Sequence, residues 1–89
     1  MIEVTGTIAP SCNGTYTTGP RYNDQPTWHD IGSTYHIWWD LAHVTWTISD
    51  EIGGGQEPGD VWWNRVDPDF VGLYTHDGMA VEDATVARA

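Results

Sequence analysis

The chain has 89 residues, among them six Trp, four Tyr and a single Cys, and it carries a net charge of −10 with no lysine. That length fits one domain spanning residues 1–89, and Cys12 alone cannot form an intrachain disulfide. With only Arg21, Arg65 and Arg88 as cations, the surface repels phosphate backbones and anionic lipids, which argues against nucleic-acid and membrane partners.

The first residues, Met1-Ile2-Glu3-Val4, lack the basic and apolar regions of a signal peptide and read as the start of a small complete product. Ile2, Val4 and Ile8 alternate with polar residues and predict a first strand, ended by Pro10. Asn13-Gly14 predicts a turn into a short strand over Thr15-Tyr16-Thr17. Gly19-Pro20 breaks the chain, and Thr27 to Ile31 reads as a further strand.

The strongest signal follows. Tyr35-His36-Ile37-Trp38-Trp39-Asp40 and Val44-Thr45-Trp46-Thr47-Ile48-Ser49-Asp50 are aromatic, β-branched runs joined by Leu41-Ala42-His43. They predict a hairpin with Tyr35, Ile37 and Trp39 on one face, matched by Val44, Trp46 and Ile48. Glu51 to Gly59 is glycine-rich and predicts a surface loop. Val61 to Asn64 and Phe70 to Thr75 predict two more strands around an Asp67-Pro68-Asp69 turn. Met79 to Ala89 predicts an extended segment ending in a mobile tail. About seven short strands at roughly ten-residue spacing give an all-β fold, a small antiparallel sandwich or barrel.

Adjacent residues on a strand point to opposite faces, so Trp38 and Trp39 cannot both enter one core, nor can Trp62 and Trp63. One member of each pair faces outward unless a second layer, a partner subunit or a sugar ring covers it. Such aromatics mark interfaces or ligand platforms. The candidate platform comprises Trp38, Trp39, Trp62, Trp63 and Trp28, with Asp40 beside it and Asn64 as a further hydrogen-bond partner.

The motifs of catalysis are missing from the sequence. Ser11, Ser33 and Ser49 have no nucleophile-elbow context, and Cys12 has no flanking base. His36, Asp40 and His43 form the one metal set the hairpin can assemble, but their spacing matches no HExxH or paired-Cys motif. The expectation is a non-enzymatic chain with no catalytic residues, no metal and no cofactor.

The tokens Asn13-Gly14-Thr15-Tyr16-Thr17, Tyr22-Asn23, Pro26, Tyr35-His36-Ile37-Trp38-Trp39-Asp40, Trp46-Thr47-Ile48-Ser49, Gly53-Gly54, Trp62-Trp63 and Gly72 occur in a familiar order. In that order the chain resembles a small Trp-rich β module of tailed-virus (phage) structural proteins, found also in some adhesive multidomain proteins. The match runs from Glu3 to Ala87. Asp24 replaces a usual glycine, and Leu41-Ala42-His43 replaces a tighter Asp-Gly turn. The resemblance implies a virion structural protein, a decoration or cement protein on the capsid surface whose partner is the major capsid protein or another virion protein. A homo-oligomer contact is compatible with it. The alternative is a carbohydrate-binding or adhesive module of a tail or fibre, with a glycan as partner.

Overall fold

Short alternating runs broken by Gly, Pro, Asn and Asp become strands, and here each strand finds its partner next to it in sequence. The computed structural model describes residues 1–8 and 10–89. Its strands are β1 (Ile2–Thr5), β2 (Gly14–Thr18), β3 (Trp28–Asp30), β4 (His36–Asp40), β5 (Thr45–Ser49), β6 (Val61–Arg65), β7 (Gly72–Gly78) and β8 (Ala84–Arg88). They run antiparallel in chain order, and β8 returns to β1, setting Glu3 opposite Ala87 and Val4 opposite Val86. The result is a closed eight-stranded barrel. Closure leaves no unpaired sheet edge, and a barrel of this strand number is narrow enough for side chains to fill.

The all-β antiparallel fold agrees with the sequence, with one strand more than expected. The additional strand lies in the segment read as an extended tail. Ala84–Arg88 pairs with β1 on one side and β7 on the other, and Ala84 and Val86 are fully buried. Its apolar alternation is faint because two of its residues are alanine, yet small side chains are what the lumen accepts beside Tyr74. The first strand is shorter than the sequence implies. It stops at Thr5, Gly6 turns the chain at φ 105°, and Ile8 is left exposed. Thr7 and Asn13 close the loop that follows: the Thr7 amide donates to Asn13 Oδ1 at 3.0 Å, and the Cys12 amide donates to Thr7 Oγ1 at 2.9 Å.

The aromatic side chains close both ends of the lumen. At the end reached by the β4–β5 turn, Trp28 stacks on Phe70 with centroids 4.2 Å apart, and Trp46 meets Trp28, Trp39 and Phe70. Arg88 lies 5.1 Å over the Phe70 ring, a cation–π contact. At the opposite end Tyr35 meets Trp63 edge-on at 5.6 Å, and Trp63 Nε1 donates to the Glu82 carbonyl at 2.7 Å. Phe70, read as the start of a strand, instead lies in the β6–β7 connection and serves as a plug.

Strand β5 is buried on both faces. Trp46 and Ile48 point into the barrel, while Thr45, Thr47 and Ser49 point outward and are still covered. A second layer over β4 and β5 provides that cover, and it forms the base of the site described next.

Candidate functional site

The cover comes from two loops. The β2–β3 loop turns at Asn23 and Asp24, both with positive φ, and the backbones of Tyr22 and Gln25 bond each other at 2.9 and 3.0 Å. This tight two-residue turn brings Tyr22 over the outer face, where it meets Trp38 edge-on at 5.8 Å. The β5–β6 loop folds back from the other end of the barrel. Gly53 passes close to Tyr22 at φ 80°, and a Cβ there would lie 2.6 Å from the Tyr22 hydroxyl, so a larger residue would strain the backbone and push the Tyr22 ring aside.

Beneath these loops the outward polar groups are paired. Trp38 Nε1 donates to Ser49 Oγ at 2.9 Å. The Ser49 hydroxyl has the Glu51 and Gly54 carbonyls as acceptors at 2.7 and 2.8 Å. Every fully buried side-chain nitrogen and oxygen among the described residues has a partner. The second layer is therefore a folded part of the protein rather than a loosely draped loop.

The six residues expected to form a platform separate in the structure. Trp63 and Trp28 lie in the core, 0% and 6% exposed. Trp38 does point outward, but Tyr22 and the β5–β6 loop leave it 2% exposed. These three are therefore corrected from platform to packing residues, because ring area already buried cannot meet a partner. Trp39 is half-buried at the plugged barrel end. Asp40 is buried and serves as a partner for His43. Trp62 alone stands half-buried on the outer face with an open hollow in front of it.

That hollow, about 290 Å³, lies between His43, Thr45, Gln56, Trp62, Asn64, Val66 and Asp77. Trp62 and Asn64 come from β6, and Asp77 sits opposite Trp62 on β7. The Asn64 amide is oriented, since its Oδ1 accepts from Thr47 Oγ1 at 3.2 Å and its Nδ2 donates to Asp77 Oδ2 at 3.4 Å. At the rim, His43 Nδ1 lies 2.6 Å from Asp40 Oδ2. A carboxylate can only accept, so Nδ1 carries a proton and the ring presents its Nε2 edge to the hollow. The Asp40 side chain is 7% exposed and the His43 side chain 70%, so a fixed carboxylate orients an accessible ring.

The backbone contributes to this arrangement. Val44, which follows His43, has φ 53°. A β-branched residue in the left-handed region is an outlier, and residues held so tend to collect at functional sites. The sequence places Val44 in the hairpin face with Trp46 and Ile48. Instead it is 60% exposed in the turn, because Leu41 to Val44 form the connection.

The His36, Asp40 and His43 set does not assemble. His43 meets Asp40, while His36 lies beside His29 with ring centroids 6.4 Å apart. Burial, reinforced by His29, holds the His36 imidazole below its ordinary pKa. No three His, Cys, Asp or Glu side chains converge among the described residues. Cys12 is fully buried, and burial pushes its thiol up to about 11. His43 bonds Asp40 through both its backbone amide and its ring.

Asp77, Gln56 and Tyr22 lie outside the aromatic platform expected from the sequence. β7 runs to Gly78, beyond the Phe70 to Thr75 strand expected from the sequence, and carries Asp77 alongside Trp62. Gln56 lies in a loop with no periodicity to read. Tyr22 did occur in a recognisable Tyr-Asn token, which is the one signal that could have flagged it. Comparison of the chain with protein-family models, with curated proteins and with solved structures finds no match.

Proposed function

We propose that this barrel is a non-enzymatic binding module that recognises a carbohydrate in the groove in front of Trp62, as an adhesive module of a virion tail or fibre would. The observation that carries the reading is the half-buried Trp62 ring beside an oriented Asn64 amide, Asp77 and the Nε2 edge of His43. An indole face receives the apolar face of a sugar ring, and oriented amide, carboxylate and imidazole groups match its hydroxyls. The hollow is at the lower limit of the ~300–1,000 Å³ typical of ligand pockets, so it suits a single ring better than a large cofactor. Tryptophan fluorescence, titrated with a broad panel of soluble glycans, tests this directly. Binding should change the emission of the native chain and leave Trp62→Ala unresponsive. A flat response across the panel refutes the reading.

A second reading, capsid decoration, draws on the opposite side of the barrel. The cross-strand rows Leu73–Thr85–Thr5 and Ala87–Glu3–Thr15 present mostly uncharged side chains, with Glu3 the one carboxylate among them. In a chain of net charge −10 such a face approaches another acidic surface with the least repulsion. The partner would be the major capsid protein or another virion protein. Quantitative mass spectrometry of purified particles from the source separates the two readings. Copy numbers on the scale of the capsid subunits favour decoration, low copy numbers favour a tail or fibre, and absence from particles removes both locations.

A further inference from the structure

The space over β4–β6 consists of two adjoining hollows that share His43 and Gln56. Trp62 is the aromatic wall of the first, and Tyr22, 36% exposed, is the open aromatic side chain of the second. The residues around them include the carboxylates Asp40 and Asp77 and neither Lys nor Arg. We propose that the groove takes a neutral oligosaccharide of at least two rings, one against Trp62 and the next against Tyr22, crossing at His43. The inference rests on the carbohydrate reading above and adds to it the length and the charge of the ligand.

The length follows from the partition. A single ring fills one hollow and leaves the other aromatic wall in water. A linked second ring binds with the high effective concentration of a tethered partner, so affinity rises steeply from one ring to two. The charge follows from the lining. An anionic sugar brings its carboxylate towards Asp40 and Asp77 with neither Lys nor Arg in the lining to offset the repulsion, and that selects against it. The Tyr22 platform is preformed: the Asn23-Asp24 turn fixes it and Gly53 lies close to its hydroxyl. Less ordering is then lost on binding.

The test is calorimetric titration of the whole chain with cello-, malto- and chito-oligosaccharides of one to four rings, with oligogalacturonates as the anionic series. At least one neutral series should bind, its affinity rising about tenfold or more from one ring to two. Tyr22→Leu keeps Trp38 covered but removes the aromatic face, and should abolish the gain from the second ring while leaving one-ring affinity in place. Trp62→Ala should remove binding at every length, and thermal melts of both variants establish that they are folded. Equal affinity at all lengths, or a Tyr22→Leu variant that retains the gain, overturns the two-ring inference and leaves the carbohydrate reading standing. Oligogalacturonate binding as tight as the neutral series overturns the charge selection. No binding in any series overturns both the inference and the reading beneath it.

Discussion

Val44 offers the sharpest test of how this sequence and this fold fit together. Its φ of 53° places a β-branched side chain in the left-handed region. For an L-residue that conformation costs roughly 1–2 kcal/mol, and asparagine tolerates it far better. Val44 is 60% exposed, so removing its methyl groups forfeits only about 0.6–0.8 kcal/mol of apolar burial, less than half the ~1.5–2 of a fully buried valine. Val44→Asn should therefore stabilise the barrel by about 0.5–1 kcal/mol, raising the melting temperature by roughly 2–8 °C for a domain of this size. Val44→Ala keeps the strained backbone and loses the burial, so it should melt lower than the native chain. The assay is thermal unfolding by near-UV circular dichroism, paired with urea titration to verify that the transition is two-state. An Asn variant no more stable than Val44, or an Ala variant equal to Asn, would refute the strain argument. Because the turn also presents His43 against Asp40, the groove should survive in the Asn variant, with ligand affinity within a small factor of native.

Asp24 repeats the logic on a smaller scale: its φ of 61° occupies the second position of a tight turn that favours glycine, so Asp24→Gly should stabilise by up to ~1 kcal/mol in urea titration. Trp38 and Trp62 should behave oppositely under alanine substitution. Trp38→Ala empties a covered site and should cost about 3–5 kcal/mol, a large share of the total stability of a small domain, whereas Trp62→Ala should melt much closer to native and lose ligand response. Asp83 accepts hydrogen bonds from the His76 backbone and ring, which hold its carboxyl below the ordinary value of 3.8. Its contribution is therefore fully present above that value and lost as pH falls through the folded pKa. Asp83→Asn should lower the urea midpoint at neutral pH and match the native chain in acid; a constant offset at every pH would refute this. Cys12, fully buried with its thiol pushed up to about 11, should react with a thiol reagent only as fast as the protein unfolds, and labelling under native conditions would contradict its burial.

The strands and much of the barrel interior were legible from alternation alone. Ile37, Trp46 and Ile48 face inward as their period of two requires, because the lumen selects one face of every strand. The outward pointing of Trp38 was legible for the same reason. Its burial was not, since the cover comes from Tyr22 and a glycine-rich loop whose path no local pattern encodes. Closure through Ala84–Arg88 was equally hidden, because alanine gives little hydrophobic contrast while long-range pairing with β1 decides its fate. The sequence by itself determined strand number to within one, the inward face of the central hairpin apart from Val44, and the need for an aromatic-filled core. Tertiary structure decided which indole remains accessible, and it set Asp77 beside Trp62 and Asp40 against His43. Those contacts depend on register between strands and on loops folding back across the barrel, and both are settled by packing between residues distant in the chain.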